Sequence, residues 1–365
     1  MKSSIAAPLV AWFEDSARDL PWRRTLDPYA IWVSEVMLQQ TQVATVVPYW
    51  TRWIREMPDV HALATASGDT VLKLWEGLGY YRRARHLHEA AREVVETRAG
   101  SLPAHLEGWL SLPGIGRYTA GAIVSIAFNQ PAPILDGNVV RVLSRVMALP
   151  GDPASKALRD SLWETAGKLV SAAAGLPSSV HLRHAPQVQV SGPCSALNQA
   201  LMELGATVCS PAGPDCPACP LAASCRARKL GRPEDFPQPS QRPRPTRRTM
   251  AAVLWESSGK WLVRRRPDDA VNGGLWEFPA IECGPGDDPR ASLAGWLGID
   301  GVRLSAAGTV RHSITRFRIE QHLFKLDGPA LDGCVPQGGE WRPRSDLDCL
   351  AWTAAHRKAL KLLGN

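Results

Sequence analysis

The sequence lacks the features that mark secreted and membrane-spanning proteins. Its first twenty residues, MKSSIAAPLVAWFEDSARDL, contain one lysine, a short apolar stretch and then charges, so we expect neither a signal peptide nor a membrane span. Eight cysteines are present, but nothing in the chain indicates an oxidising compartment that would pair them. We therefore expect a cytoplasmic protein whose 365 residues form about two or three domains.

Positive charge is concentrated in one short segment. The net charge is +7, and residues 226–248 alone hold eight arginines and lysines against Glu234 and Asp235. The same segment is rich in proline and poor in large apolar residues, which predicts an extended linker at a domain boundary. Charge that is so local favours a polyanionic partner only weakly.

The periodicity of apolar residues changes across that boundary. Before it, they recur at three- and four-residue spacing, as in residues 28–54 and 84–99, which predicts helices. After it we expect four strands, at residues 250–257, 259–265, 273–280 and 316–326. Two helices are expected in the same part, at residues 288–299 and 350–364. The sequence thus predicts a multidomain fold, with an all-α domain first, a small α+β domain second, and residues 170–193 as a loop insertion.

Four cysteines lie within seventeen residues, with gaps of six, two and five residues between them: Cys209, Cys216, Cys219 and Cys225. Four thiolates this close along the chain, with Pro and Gly bending it, can converge on one metal centre. Spacing alone leaves zinc and a [4Fe–4S] cluster open, and the lack of any sign of an oxidising compartment disfavours a disulfide pair. The other four cysteines are scattered and predict ordinary reduced thiols.

A glycine turn precedes an apolar helix in LPGIGRYTAGAIVSIAF, residues 112–128. Gly114 and Gly116 permit positive φ, and a tight turn into a helix N-terminus presents backbone N–H groups to a phosphate. Asp136 follows twenty residues after Gly116. It is either an acid at the end of the hairpin's second helix or the N-cap of the next helix, and an N-cap that faces a pocket can still be catalytic.

These motifs together resemble the helix-hairpin-helix DNA glycosylases, the endonuclease III and adenine glycosylase group. Within that group the resemblance is to the adenine DNA glycosylases, on the segments DLPWR, WVSEVMLQQTQVATVVPYW, GLGYYRRARHLH and NQALMELGATVC. It implies a helix-hairpin-helix DNA glycosylase domain at residues 1–228, a linker at 229–248 and a Nudix-like domain at 249–365. It also favours a [4Fe–4S] cluster over zinc at the four cysteines, in a loop spanning residues 209–225.

The resemblance implies a chemistry for two carboxylates. Glu35 lies in an otherwise apolar helical stretch, where burial would raise its pKa, although a glutamate on a solvated helix face has the same pattern. By resemblance Glu35 protonates N7 of adenine and Asp136 faces the oxocarbenium sugar. Tyr118 and Asn138 would support that sugar and hydrogen-bond the carboxylates. Endonuclease III carries a lysine where Tyr118 stands, and no lysine occurs between Lys73 and Lys156, so strand cleavage is not expected.

The resemblance also implies DNA-reading residues. Trp22, Arg23 and Gln199 would line the pocket for a flipped adenine, and Gln42 and Tyr80 would fill the gap beside 8-oxoguanine. Further expected contacts to DNA come from the turn glycines and a C-terminal hydroxyl: Gly114, Gly116 and Thr315. Trp22 and Tyr80 could equally be plain core aromatics. The arginines in YYRRARHL either contact phosphates or cover a solvated helix face: Arg82, Arg83 and Arg85.

The C-terminal domain resembles a Nudix module that has lost hydrolysis, because residues 288–299 contain no glutamate to hold a divalent metal. The loop that would read 8-oxoguanine departs from the family pattern, since Ile314, Thr315 and Arg316 stand where Phe-Ser-His is usual. The expected partner is double-stranded DNA with A:8-oxoguanine or A:G mispairs, bound by a bacterial, nucleoid-associated monomer. Two alternatives are an endonuclease III-like glycosylase with AP-lyase activity and a DNA-binding protein without catalysis.

Overall fold

The computed structural model of this chain describes residues 3–178, 180, 182–238, 240, 244–298, 303–327 and 338–363. The chain divides into two units, and the boundary between them is not a single point in the sequence. The N-terminal unit contains residues 1–65 and 86–241. The C-terminal unit contains residues 242–365 together with residues 66–85, which come from the middle of the helical half.

In chain order the helices of the described residues are α1 (Ser3–Ser16), α2 (Pro28–Leu38), α3 (Val43–Glu56), α4 (Val60–Thr65), α5 (Gly68–Trp75), α6 (Arg82–Arg98), α7 (Leu106–Leu110), α8 (Arg117–Phe128), α9 (Gly137–Met147), α10 (Lys156–Ala173), α11 (Pro193–Thr207), α12 (Arg226–Lys229), α13 (Pro289–Leu297), α14 (Arg344–Leu347) and α15 (Ala354–Lys361). Two short 3₁₀ helices are present at Pro21–Arg23 and Pro233–Asp235. None of the helices within these described ranges is long and apolar enough to cross a membrane.

The core of the N-terminal unit is built from helices that are buried on nearly every side. α8 packs against both α2 and α11, and α11 also packs against α9. The close approach of α11 to α9 requires glycine, because a Cβ added at Gly205 would lie 2.6 Å from Asn138 Cβ. The predicted all-helical domain is therefore confirmed, and its packing sets the position of the first turn of α9.

Two expectations about loops in this unit were partly wrong. The insertion predicted at residues 170–193 begins later, because α10 continues to Ala173. The predicted extended linker contains α12, and Phe236 beyond it is buried against Ala227 and Cys225. Arg145 Nε also donates to the Phe236 carbonyl at 3.0 Å. A single large apolar side chain thus fixes a segment whose composition otherwise predicts an extended chain.

The C-terminal unit contains a mixed sheet with strands β1 (Thr246–Ser257), β2 (Lys260–Arg265), β3 (Trp276–Glu277), β4 (Ala280–Cys283), β5 (Leu304–Ile314), β6 (Phe317–Asp327) and β7 (Gly339–Pro343). The order is β3-β2-β1-β6-β5, with β4 paired to β1 and β7 to β2. Only the β1–β6 pairing is parallel among the described strands. Successive residues of β1 face opposite sides, so Leu254 packs with residues of α14 and α15 while Val253 packs with residues of α13.

Most elements of this unit were predicted. β2, β3, α13 and α15 lie within the predicted ranges, whereas β1 begins four residues earlier than predicted and β6 ends one residue later. Ser258 and Gly259 form the expected hairpin turn with φ of 51° and 74°. β4, β5 and β7 were not predicted. β5 reads LSAAGTVRHSI, with small and polar residues that do not alternate cleanly, and its pairing with β6 gives it strand structure.

Candidate active site and cysteine loop

Buried Glu35 and half-buried Tyr118 form a hydrogen-bonded pair in the N-terminal unit. Glu35 lies on α2 and is 5% exposed. Tyr118, in the first turn of α8, donates its hydroxyl to Glu35 Oε2 at 2.7 Å. The Tyr118 hydroxyl also lies 3.3 Å from Met202 Sδ on α11. Glu35 therefore does not lie on a solvated helix face, which was one of the two interpretations of its sequence pattern.

Asp136 is the N-cap of α9. One carboxylate oxygen accepts the Val139 backbone N–H at 2.7 Å, and the other accepts Asn138 Nδ2 at 3.0 Å. The alternative expectation, that Asp136 ends the second helix of the hairpin, is wrong, because α8 ends at Phe128. The first turn of α9 thus holds both carboxylate oxygens in fixed directions.

The electrostatics of this group depend mainly on burial. Burial raises the pKa of Glu35 to about 7, and the charge of Asp136 adds to this while the Tyr118 hydrogen bond and Arg23 oppose it. Burial also raises the pKa of Asp136, against the donors Val139 N–H and Asn138. The pKa of Tyr118 is raised by burial and then by the charges of Glu35 and Asp136. The structure therefore brings Glu35, Tyr118, Asp136 and Asn138 into one electrostatic site.

The residues expected to line an adenine pocket are all buried. Arg23 Nη2 lies 3.0 Å from Glu203 Oε2, and Arg18 Nε lies 2.7 Å from the other oxygen of Glu203. Gln199 Nε2 donates to Ser195 Oγ at 3.1 Å. Trp22 contacts Trp50 edge-to-face, with ring centroids 6.1 Å apart. Since the charge of Arg23 lowers the pKa of Glu35, that guanidinium is near enough to act on the site.

The two hairpin glycines have different conformations. Gly114 has φ of 72°, and a Cβ there would lie 2.4 Å from His86 Cβ. Gly116 has φ of −97° as the N-cap of α8, so positive φ is required at Gly114 alone. A Cβ at Gly116 would meet nothing within 4 Å. The space in front of the α8 N-terminus is therefore open, as a backbone phosphate requires.

Two arginines of α9 hold the cysteine loop (residues 209–225). Arg145 donates to the carbonyls of Ser210 and Pro211 at 2.7 and 2.9 Å. Arg141 donates to the Cys209 carbonyl at 2.7 Å and to Asn138 Oδ1 at 2.8 Å. Because Asn138 in turn donates to Asp136, a continuous chain of hydrogen bonds joins the cysteine loop to the active-site carboxylate.

The four clustered cysteines line one pocket, as their spacing predicts: Cys209, Cys216, Cys219 and Cys225. Cysteines in the described part of the chain are free thiols, so the disulfide reading is excluded there. Burial, and then the charges of the other three thiolates, raise the pKa of Cys219 to about 11. Within the described residues no three metal-binding side chains converge on a single-ion site. Four thiolate donors suit a cationic centre, either a zinc ion or an iron–sulfur cluster.

Tyr80 lies in a tight turn of the C-terminal unit, which we call the Tyr80 turn (residues 76–83). Tyr80 is 50% exposed and has φ of 47°, an uncommon conformation for a side chain of this size. Arg83 donates to the Gly79 carbonyl at 3.0 Å, and Trp75 Nε1 donates to the same oxygen at 3.1 Å. The reading of Tyr80 as a core aromatic is therefore wrong.

Two of the three arginines near Tyr80, Arg83 and Arg85, are used differently from either expectation. Arg83 lies 5.2 Å from the centroid of the Trp75 ring and 5.7 Å from that of Tyr80, and burial lowers its pKa to about 10. Arg85 donates to backbone carbonyls of residues 268 and 273. Of the three, only Arg82 is exposed. Arg83 and Arg85 thus bind protein backbone, as positioning groups.

Two further expected DNA contacts are exposed. Gln42 precedes α3 as its N-cap residue and makes no side-chain cap. Thr315 forms the turn between β5 and β6, has φ of 50° and donates its hydroxyl to the Ile314 carbonyl at 2.8 Å. Positive φ is rare for a β-branched residue, and such strain is found most often at functional positions.

Sequence reasoning missed several residues that organise the site, namely Glu203, Arg141, Arg145, Glu76 and Arg357. Each acts through contacts with residues far away in the sequence, which no local pattern reveals. A signal existed for Glu203, since a lone acid in the apolar run NQALMELGA requires a cationic partner when it is buried.

Comparisons with known proteins agree with this architecture. Residues 33–168 match the HhH-GPD superfamily of base excision DNA repair proteins, and residues 250–362 match the NUDIX domain. The adenine DNA glycosylase of Homo sapiens is 35% identical, over 97% of this chain and 73% of that protein. The enzyme of Mus musculus is 36% identical, over 97% of this chain and 76% of that protein. These mammalian relatives do not support the bacterial origin expected from the sequence.

A solved structure resembles the helical part. A thermostable thymine-DNA glycosylase has a TM-score of 0.52 and 26% identity, and the match covers 63% of this chain and 97% of that one. The helical region therefore has a fold similar to that of this glycosylase.

Proposed function

This chain belongs to the adenine DNA glycosylases, enzymes of base excision repair, and we propose that it removes adenine mispaired with 8-oxoguanine or guanine. The observation that carries the proposal is the group of buried Glu35 with half-buried Tyr118 and Asp136. One carboxyl is poised to donate a proton near neutral pH, and the other is held by donors that favour its anion. One site thus supplies both an acid for the departing base and an anion for the sugar.

Glu35 is the proposed general acid. Adenine is a poor leaving group from a sugar, and protonation at N7 lets the base depart with its bonding electrons as a neutral molecule. A carboxyl with a pKa of about 7 is substantially protonated at neutral pH and still acidic enough to donate. The Tyr118 hydroxyl at 2.7 Å orients the acid and stabilises the carboxylate that forms when the proton has left.

Asp136 is the proposed partner of the sugar. As the bond between C1′ and N9 breaks, positive charge develops on the sugar ring, and a nearby carboxylate stabilises it or bonds to C1′ transiently. The Val139 N–H and Asn138 keep the Asp136 oxygens oriented while burial excludes water that would screen the interaction. Water then completes the sugar as an abasic site.

The residue at position 118 opposes the alternative lyase function. A strand-cleaving glycosylase needs an amine that forms a Schiff base with C1′. Tyr118 instead offers a phenol whose pKa is raised well above its ordinary value, and the hydroxyl is engaged with Glu35. We therefore propose a monofunctional glycosylase, and both carboxylates argue against a binding protein without catalysis.

Recognition of the mispair is divided between the two units in this proposal. Trp22, Arg23 and Gln199 bind the flipped adenine in the N-terminal unit, where their burial favours a dry pocket. Tyr80 stacks beside the opposite base, and Gln42 hydrogen-bonds to its edge. Thr315 reads 8-oxoguanine with its hydroxyl. Gly114 and Gly116 hold a backbone phosphate at the α8 N-terminus. The protein acts as a monomer on double-stranded DNA.

A [4Fe–4S] cluster is the proposed occupant of the cysteine loop, held by Cys209, Cys216, Cys219 and Cys225. Soft thiolate donors on one pocket suit iron and sulfide. The cluster would supply a rigid cationic centre that organises a loop with no helix or strand of its own. Arg141 and Arg145 then connect that loop to the helix that Asp136 caps.

The test is direct. Duplexes that contain one A:8-oxoguanine, A:G or A:T pair are incubated with the protein, and free adenine is measured before and after alkaline cleavage of the DNA. The proposal expects adenine release from both mispairs, with strand breaks only after alkali. Breaks without alkali would favour the lyase, and no adenine release would exclude the proposed function.

A further inference from the structure

Glu76 anchors the start of the Tyr80 turn to the C-terminal end of the chain. Its Oε1 accepts Arg357 Nε at 2.7 Å and the Trp352 backbone N–H at 3.1 Å, and its Oε2 accepts Arg357 Nη2 at 2.8 Å. The Glu76 side chain is 15% exposed and that of Arg357 is 25% exposed. The contact is therefore a bidentate, largely buried ion pair. Removing one partner of such a pair leaves an uncompensated charge and strongly destabilises the structure around it.

Lys73 completes this anchor from the last turn of α5. Its Nζ donates to the carbonyls of Asp348 and Leu350 at 2.6 and 2.9 Å and lies 3.0 Å from Glu76 Oε2. Arg357 Nη2 donates to the Leu350 carbonyl as well, at 3.0 Å. Two cations, one carboxylate and two carbonyls thus form one connected network around the end of α5.

A second anchor holds the other side of the turn. Arg85 donates to the carbonyls of Gly273 and Asp268, in the loop that precedes β3. A Cβ at Gly274 would lie 3.1 Å from Leu72 Cδ1, so this loop also approaches α5 closely. The backbone on both sides of Tyr80 is therefore tied to residues more than 180 positions later in the chain.

We propose that Glu76 and Arg357 are positioning residues for Tyr80, and that the C-terminal unit acts on the mispair by fixing the Tyr80 turn. The inference rests on the proposed role of Tyr80 beside the opposite base and gives that role a mechanism. A residue at positive φ keeps its conformation only where its surroundings impose it. The ion pair and the carbonyl contacts of Lys73 and Arg85 impose it here.

The geometry distinguishes this function from direct reading by the β5–β6 turn. Thr315 would contact 8-oxoguanine itself, whereas Arg357 would contact no DNA and act only through Tyr80. Positioning effects of this kind are large, since a displacement of about 1 Å at a contact group can reduce a rate about 100-fold. The positioning of Tyr80 matters in this chain because the β5–β6 turn lacks the aromatic residue and the histidine that are usual in the family.

The test uses the full-length protein and four variants, Arg357→Met, Tyr80→Ala, the double variant, and Arg311→Met as a control. Arg311 forms an exposed ion pair with Glu320 elsewhere in the same unit, so its loss controls for charge removal. Hydrogen exchange of residues 76–85 reports whether the turn is fixed. Single-turnover adenine release from A:8-oxoguanine reports the consequence for catalysis.

We expect Arg357→Met to speed exchange of the turn by tenfold or more and to slow adenine release fivefold or more, with Arg311→Met unchanged in both. In the Tyr80→Ala background Arg357→Met should have less than a twofold further effect, because the two act through one contact. Arg357→Lys, which keeps the charge without the two-pronged geometry, should recover part of the rate.

Unchanged exchange in Arg357→Met, or rate effects that multiply fully with those of Tyr80→Ala, would overturn the inference. If Arg357→Met does not fold, Lys73→Met removes the neighbouring contacts more mildly and is judged by the same two measurements. A wild-type rate in Tyr80→Ala would contradict the proposed role of Tyr80, while exchange would still decide whether Glu76 and Arg357 fix the turn.

Discussion

At the scale of single residues, the burial that suits Glu35 to its proposed role as general acid also lowers the stability of the folded protein. Glu35→Gln keeps the shape of the side chain and its capacity to accept the Tyr118 hydrogen bond, but it cannot donate an acidic proton. General-acid assistance is worth about 10²–10⁴-fold. We expect single-turnover adenine release to fall by at least about 100-fold while mispair affinity, measured by titration with labelled duplex, is retained. A variant that keeps more than about a tenth of the wild-type rate would exclude Glu35 as the acid.

The same substitution should stabilise the protein, in a pH-dependent manner. The pKa of Glu35 is about 7 in the folded chain against an ordinary value of 4.5, so folding favours the protonated form. Stability from this group is therefore complete below about pH 4.5 and is lost as the pH rises through about 7. By pH 8 the loss is about 3 kcal/mol. We expect Glu35→Gln to unfold at a higher temperature than wild type at pH 8 and to differ little at pH 5, as measured by thermal scans.

A gain of function tests the position of Tyr118. Tyr118→Lys supplies an amine beside the proposed sugar site, where burial lowers the pKa of a lysine and the charges of Glu35 and Asp136 oppose that shift. Borohydride should then trap a covalent complex with abasic product DNA, and the wild type should trap little. Thr119→Lys, on the neighbouring buried position of α8, is the matched control. Equal trapping by Tyr118→Lys and wild type would show that Tyr118 does not face C1′.

Much of the residue-scale site could be predicted, because it is local. Glu35, Tyr118, Asp136 and Asn138 lie in short motifs whose spacing and composition are visible in the sequence. Arg141 and Arg357 could not be predicted, since a surface arginine and a bridging arginine look alike until the partner carbonyls are placed. Arg83 shows the same limit, as its expected phosphate contact is replaced by the Gly79 carbonyl.

At the scale of elements, the cysteine loop should depend on its metal centre. Residues 208–225 contain no helix or strand, and the thiol of Cys219 is neutral at physiological pH without a cation, with its pKa at about 11. We expect purified protein to be yellow-brown, with iron and sulfide by chemical analysis. Cys219→Ser should remove the colour and weaken DNA binding, whereas Cys194→Ser, a buried cysteine outside the loop, should not. One zinc per chain without iron would contradict the cluster and leave the glycosylase chemistry standing.

Helices and strands could be predicted where the local sequence pattern alone determines the secondary structure. α2, α6 and α8 have apolar residues in helical spacing and appear as expected, and β1 and β2 appear on either side of the predicted turn. β5 could not be predicted, because its strand structure depends on pairing with β6. The prediction of an extended linker was partly wrong because the buried Phe236 ring fixes a segment whose proline-rich composition predicts an extended chain.

At the scale of the whole molecule, we expect removal of residues 241–365 to separate adenine excision from mispair discrimination. A chain ending at residue 240 keeps Glu35, Tyr118, Asp136 and the cysteine loop, as well as the buried Phe236 that a shorter truncation would remove. We expect it to release adenine from A:G but to lose tenfold or more of its preference for A:8-oxoguanine, because a base contact is worth about 1–3 kcal/mol.

The matched comparison for that truncation is Thr315→Ala in the full-length chain. It removes one hydroxyl and leaves the anchors of the Tyr80 turn in place. If Thr315 and the turn both contribute, the single variant should lose less preference than the truncation, as measured by the ratio of single-turnover rates on the two mispairs. Intact preference in the truncated chain would assign discrimination to Gln42 and Tyr80, which the truncated chain keeps.

The discontinuous C-terminal unit also has a consequence for biosynthesis. The ribosome completes α5 about 200 residues before it reaches the loop of Gly274, and at usual rates of translation that interval is roughly 10–40 s. Throughout it, Leu72 lacks the loop of Gly274 against which it packs, and Glu76 lacks Arg357. A nascent chain therefore contains Glu35, Tyr118 and Asp136 well before α5 and the Tyr80 turn gain the partners that hold them, so the turn is fixed only after Arg357 has been translated.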